Sequence, residues 1–243
     1  MFEEAKAQYR LLIELLPEDV DNYISLAYIL IRQQDIKSAT EILEKALKIG
    51  EKQGQLYFLL GLAHAQDENF TEAEAAYKKS LELEPADDVV LFYLGALYER
   101  NNFRKEAKEE FKKAIEVNPD SAEALNYLGY MYAEDGEKLQ EAEYMIKHAL
   151  ELDPENGAYL DSLGWVYYKL GRLAEARELI EQALKFVGDD PIIFDHLGDI
   201  HFELGDVDNA VINFNKALEL EPDNEEVREK LLKIKKEECI VNR

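Results

Sequence analysis

The pattern of apolar and polar positions along the chain repeats about every 34 residues. A small residue preceded by leucine marks each repeat, at Ala27, Gly61, Gly95, Gly129, Gly164 and Gly198. An alanine follows in each repeat, at Ala39, Ala73, Ala107, Ala142, Ala176 and Ala210. Four residues after that alanine stands a large apolar side chain, and three residues further a small one. The pattern therefore marks one repeating unit rather than a series of unrelated helices.

Spacings of four and three residues place side chains on one face of a helix. Each repeat therefore predicts a helix, a short turn and a second helix. In the segment LGWVYYKLGR the first helix is expected to end in a turn at Gly171. The small residues allow two antiparallel helices to approach closely, and the large residue beside them fills the remaining space.

The order of these residues resembles the tetratricopeptide repeat family: a large residue, Leu-Gly, Tyr, Ala, an aromatic residue, Ala and Pro. The resemblance covers nearly the whole chain, and the segments around residues 126–136 and 160–172 are similar to bacterial members of the family. The departures are local: alanine at Ala27 for glycine, histidine at His64 and His201 for tyrosine, and Glu51 and Gly188 for proline. The resemblance implies an all-α fold, a right-handed α-solenoid of helical hairpins.

The period divides the chain into repeats with short flanking segments. The predicted repeats are residues 20–53, 54–87, 88–121, 122–156, 157–190 and 191–224, of which 122–156 carries a one-residue insertion. Residues 1–19 match the second helix of an incomplete repeat, and we expect the given chain to begin inside a longer protein. Residues 225–243 are expected to form a capping helix, because a solenoid needs a polar-backed end.

Charge narrows the classes of partner. Aspartate and glutamate outnumber lysine and arginine 52 to 28, which gives a formal net charge of −24. A field of this sign repels nucleic acid and anionic membrane surfaces. No apolar run has the length of a membrane span, and the first ten residues do not read as a secretory signal. The sequence alone leaves the compartment open: we expect a soluble chain, cytoplasmic by default, or periplasmic or membrane-tethered if the chain is a fragment.

The sequence contains none of the catalytic or nucleotide-binding motifs that carry recognisable chemistry. The single cysteine, Cys239, excludes a disulfide framework. We expect His64 and His201 to be core residues, because both stand in the tyrosine row, and we expect no metal at His196. The sequence therefore predicts a protein that is not an enzyme and has no cofactor.

The resemblance implies that the first helix of each repeat lines a concave groove in which ligands lie. The places that face inward in the family are occupied here by Ile24, Tyr28, Phe58, Leu62, Phe92, Asn126, Tyr130, Asp161, Trp165, Tyr168, Asp195, Asp199 and Phe202. Large aromatic side chains are good anchors for a bound peptide, and Trp165 is the strongest single candidate. Asp161, Asp195, Asp199 and Glu203 predict a partner that combines apolar anchors with basic residues.

Three functions are compatible with the sequence. The first is a scaffold that binds a peptide or protein segment in the groove without catalysis. The second is a self-assembling scaffold, because an unpaired helix at residues 2–16 would let copies dock head to tail as homo-oligomers. The third is the recognition domain of a larger enzyme.

Overall fold

The computed structural model describes the backbone of residues 2–241 and the side chains of residues 2–234, so that Met1, the side chain of Cys239 and the last two residues of the predicted cap lie outside the described part. All regular structure there is α-helical, in fourteen helices. The helices group into two compact units, Met1–Pro119 and Asp120–Arg243.

The first unit contains seven helices, of which six form three hairpins. The helices are α1 (Phe2–Leu15), α2 (Val20–Arg32), α3 (Ile36–Leu47), α4 (Gln53–Gln66), α5 (Phe70–Leu83), α6 (Asp88–Arg100) and α7 (Arg104–Val117). α2 packs on α3, α4 on α5 and α6 on α7. α1 packs against α2 and buries none of its own side chains.

The second unit has the same plan. Its helices are α8 (Ala122–Glu134), α9 (Leu139–Leu152), α10 (Gly157–Lys169), α11 (Leu173–Val187), α12 (Pro191–Glu203), α13 (Val207–Leu220) and α14 (Glu225–Val241). α8 packs on α9, α10 on α11 and α12 on α13, and α14 packs against α13. Val227, Leu231 and Ile234 of α14 are buried, so the helix covers the apolar end of the last hairpin.

Close contact between the two helices of a hairpin explains the row of small residues. A Cβ atom added to Gly95 would lie 2.7 Å from the ring of Phe111. At Gly164 it would lie 2.3 Å from Cγ1 of Ile180. The large residue of each repeat is fully or almost fully buried, at Leu43, Tyr77, Phe111, Ile146, Ile180 and Phe214. The two helices of a hairpin therefore interlock, with a side chain of one filling the notch left by glycine in the other.

Local signals set the ends of the helices. Asp87 accepts a hydrogen bond from the backbone N–H of Val90, and Asn156 accepts from Ala158 and Tyr159. These contacts satisfy N–H groups that have no partner within the helix. At the turn inside the hairpin of α10 and α11, Gly171 has a φ of 75°, a left-handed conformation that glycine adopts without strain.

Candidate functional site

The second unit contains an open cavity of about 300 Å³ between α8, α10 and the N-terminal end of α12, and Val187 of α11 also lines it. We call it the inner pocket, and its lining consists of Asn126, Tyr127, Tyr130, Ala158, Asp161, Ser162, Val187, Asp190, Ile192 and Ile193. Much of the lining is aromatic and aliphatic, and Ile192, Val187 and Tyr127 remain substantially exposed. A concave, largely apolar surface with a few polar groups is the usual form of a binding site.

Asn126 is the polar residue of the inner pocket whose hydrogen bonds are incomplete. The residue is only 7% exposed, and its side-chain Oδ1 is buried without a hydrogen-bond partner in the protein. A buried acceptor without a partner costs about 1–3 kcal/mol. A donor that enters from the pocket, water in the free protein or a ligand group in a complex, would remove that cost.

Asp161 lines the same pocket, but its carboxylate is already paired. Its Oδ1 and Oδ2 lie 2.9 and 3.1 Å from Nδ1 of His196. The imidazole is 4% exposed and stacks on the indole of Trp165, with the ring centroids 4.1 Å apart. Nε1 of Trp165 donates to Glu134 at 2.6 Å. Trp165 is therefore itself buried in a cluster and offers little surface to a ligand.

The environment of His196 favours its protonated form. Burial, the largest single effect, lowers the pKa of the imidazole, but attraction to Asp161 outweighs it together with weaker attraction to Asp195 and Asp199. The net result is a pKa above the usual value of 6.5. An imidazolium and a carboxylate thus form a buried ion pair beside the inner pocket.

This pair predicts a dependence of stability on pH. Because the pKa of His196 is higher in the folded than in the unfolded chain, its contribution is complete below pH 6.5 and is lost as the pH rises through the raised value. We expect the free energy of unfolding to fall with increasing pH above about 6.5. Urea titrations at several pH values measure this slope. Asp161→Leu with His196→Phe, which keeps an aromatic ring against Trp165 and leaves no unpaired carboxylate, should flatten it, and an equal slope in this variant would contradict the assignment.

The other two predicted aspartates, Asp195 and Asp199, are also paired, in this case with a lysine of the capping helix. Nζ of Lys230 lies 2.8 Å from Oδ1 of Asp195 and 2.8 Å from Oδ2 of Asp199. Burial, the largest single effect, lowers the pKa of Lys230, but its hydrogen bonds to the two carboxylates outweigh burial and the net pKa is raised. All three aspartates that were predicted to attract a basic partner therefore have a cation of this chain beside them.

The other predicted groove residues divide between the two units. In the first unit Ile24, Phe58, Leu62 and Phe92 are half-buried, and Tyr28 is 52% exposed. In the second unit Tyr130 lines the inner pocket. Tyr168, Asp199 and Phe202 line a smaller cavity of about 140 Å³ beside α14.

Sequence reasoning missed several residues of the site. Tyr127 and Ser162 line the inner pocket, and Lys230 was treated only as part of a cap. A signal for the pairs was present in the sequence: Asp161 and His196 are 35 residues apart, and so are Asp195 and Lys230. Opposite charges at a constant distance of about one repeat indicate contact between neighbouring hairpins.

Models of the tetratricopeptide repeat match residues 20–52, 54–87, 90–121, 110–144, 133–195 and 191–224. The chain belongs to the tetratricopeptide repeat family. The predicted family and the predicted class, an all-α fold of tetratricopeptide helical hairpins, are both confirmed. Proteins of this family typically serve in protein–protein interaction. No curated protein sequence matches this chain.

Several solved structures resemble this chain in fold. A chain of the APC/C hetero-tetramer Cut9-Hcn1 superimposes with a TM-score of 0.81 at 16% identity, over 96% of this chain and 46% of that chain. This chain thus spans about half the length of that relative. PilF of Pseudomonas aeruginosa gives a TM-score of 0.74 at 18% identity, over 88% of this chain and 97% of that one. A MamA protein gives a TM-score of 0.57 at 27% identity, over 72% of this chain and 95% of that chain. At these identities the first two show the fold alone.

Two further properties of the described residues concern membrane spans and metal sites. None of their helices has the length and apolar character that crossing a membrane requires. Their histidine, cysteine, aspartate and glutamate side chains form no group of three or more that could hold a metal ion.

Proposed function

We propose that this protein is a non-catalytic scaffold that binds a segment of another polypeptide in the inner pocket of its second unit. The observation that carries this proposal is the combination of an open apolar cavity with a buried, unpartnered oxygen on Asn126. A polypeptide offers both an apolar side chain for the cavity and a backbone N–H for the oxygen. The groove predicted in the first unit extends the proposal, with Tyr28 and the half-buried Phe58 and Phe92 as additional contact surface.

Ile192 supplies the most direct test of the pocket. Its side chain is 56% exposed at the rim, so a charge placed there should not disturb folding. We expect Ile192→Asp to weaken peptide binding at least tenfold, because it adds a desolvation cost to an apolar contact. Peptides are first selected from a random library displayed on phage, and their affinities are then measured by isothermal titration calorimetry.

Ile212→Asp is the matched control. Ile212 is also an exposed isoleucine of the second unit, at 50%, and it lies on α13 outside the inner pocket. The control should bind the selected peptides like the wild type. Equal affinities for the wild type and both variants would place binding elsewhere and refute the proposal.

Self-assembly is a second candidate because of α1. Leu11 and Leu15 of this helix and Leu16 directly after it are exposed, and the helix buries no side chain of its own. Exposed apolar patches mark contact sites between proteins. Light scattering over a range of protein concentrations separates the two candidates: a mass that stays at one chain of 28.0 kDa would exclude self-assembly.

A further inference from the structure

Two recurring places bring neighbouring hairpins into contact in both units. The first place lies three residues before the glycine of a repeat, and the second lies two residues before the glycine of the next repeat. In the first unit these places hold Phe58 and Tyr93, whose ring centroids are 5.4 Å apart. In the second unit they hold Asp161 and His196, which form the buried ion pair. We call such a pair of places an inter-hairpin step.

The last step of the second unit has the same form, although α14 contains no glycine. Asp195 occupies the first place, and Lys230 is 35 residues further along the chain, the same distance as from Asp161 to His196. Its ammonium group contacts Asp195 at 2.8 Å. In each of these three steps the two places contact each other, through aromatic rings in one and through opposite charges in the other two.

The step between α8 and α10 differs from these. Its places hold Asn126 and Ser162, separated by one extra residue because of the longer repeat. Among the described residues no hydrogen bond joins the two side chains, and Oδ1 of Asn126 is left without a partner. Both residues line the inner pocket. A small serine stands where the neighbouring step has an imidazole, and the pocket lies at this place.

Both carboxylates of the pocket lining already accept hydrogen bonds from groups of this chain. Asp161 is paired with His196. Asp190, the other charged residue of the lining, caps α12 by accepting hydrogen bonds from the N–H groups of Ile192 and Ile193 at 2.8 and 3.2 Å. A lysine or arginine of a ligand would lose its hydration against a mainly apolar lining in which Asp161 already has a cation beside it, which is costly.

We infer that the step of Asn126 and Ser162 sets the ligand class of the inner pocket: one large, uncharged apolar side chain on a segment that donates a hydrogen bond to Asn126. The cavity of about 300 Å³ is at the lower end of the range for ligand sites, which fits one side chain with its flanking backbone. This inference rests on the proposed function and makes it specific. The sequence alone predicts a partner with basic residues, on the assumption that the aspartates are free. The ligand inferred from the structure is uncharged instead.

The inference can be tested by giving position 126 the aspartate that the other two steps of the second unit have at the same place. Asn126→Asp places an unpaired carboxylate in the pocket, so selection from the phage-displayed library should now enrich lysine or arginine where the wild type enriches apolar residues. Gln140→Glu is the matched control, because it adds the same charge at an exposed position on α9 outside the pocket. It should leave the selected sequences unchanged.

A double variant tests the same step without a ligand preference. Asn126→Asp with Ser162→Lys copies the pair of Asp195 and Lys230, so the lysine should fill the pocket and lower the affinity for wild-type-selected peptides at least tenfold. Circular dichroism verifies that each variant remains helical. If Asn126→Asp proves unfolded, the selection on wild-type protein still decides the question.

The outcomes separate this inference from the proposed function. Apolar anchors in wild type that change to basic ones in Asn126→Asp support it. Basic anchors in wild type, with binding that Ile192→Asp abolishes, would overturn the inference and leave the proposed function standing. Identical selections on wild type and Asn126→Asp would do the same. Peptides whose binding is insensitive to Ile192→Asp would overturn both.

Discussion

Replacement of Phe111 by alanine should destabilise the first unit by about 3–5 kcal/mol, the range for large-to-small changes at a fully buried aromatic residue. The ring is completely buried in the notch at Gly95. Truncation removes its contacts with both helices of the hairpin and leaves a cavity, because the glycine opposite has no side chain to fill the space. The effect is a large share of the 5–15 kcal/mol that usually stabilise a domain.

Phe103→Ala is the matched control for this prediction. Phe103 is also a phenylalanine of the first unit, but it is 44% exposed and its main aromatic contact is a stacked ring, Phe70, at 5.2 Å. Its truncation should cost only about 1 kcal/mol. Urea unfolding followed by circular dichroism compares the two, analysed with a nearest-neighbour model because repeat arrays are not strictly two-state.

An intermediate substitution makes the prediction sharper. The place of Phe111 is occupied by Ile146 and Ile180 in the second unit, where each fills the notch at the glycine of its hairpin. Phe111→Ile should therefore cost less than Phe111→Ala. Equal costs for Phe111→Ala and Phe103→Ala would show that the notch does not hold the hairpin together.

The fold could be predicted from the sequence because its determinants are local and repeat. The contacts of Gly95 with Phe111 and of Gly164 with Ile180 lie within one repeat, so the same spacing occurs several times in the chain. Each occurrence supports the others. The ends of helices are similarly local, as at Asn156, whose side chain caps α10 directly after it.

The candidate site was less predictable because its contacts join different repeats. The repeat predicts an inward direction for Asp161 and Asp195. Whether their charge is free depends on His196 of α12 and Lys230 of α14, each one helix beyond the next. Trp165 illustrates the same limit, since its burial results from His196 and from Glu134 of the preceding hairpin. Such contacts vary from step to step, so periodicity does not reveal them.

Replacement of Asp161 by alanine tests the strongest of these contacts. We expect a loss of about 3 kcal/mol, at the lower end of the range for removal of one partner from a buried ion pair, because the imidazole can release its proton. The cost arises because His196 stays buried against Trp165 with no acceptor for its Nδ1. Trp165 is the only tryptophan in the sequence, so its fluorescence follows this cluster during urea unfolding.

A double variant distinguishes a missing partner from a missing contact surface. Asp161→Leu with His196→Phe removes both charges and keeps an aromatic ring against Trp165, and replacing a buried pair by apolar residues of similar size is often neutral or stabilising. We expect the free energy of unfolding of the double variant to lie within about 1 kcal/mol of that of the wild type. If instead it were as unstable as Asp161→Ala, shape rather than charge would control this step. The pairing of Asp161 and His196 would then not explain why Asp161 is unavailable to a basic ligand.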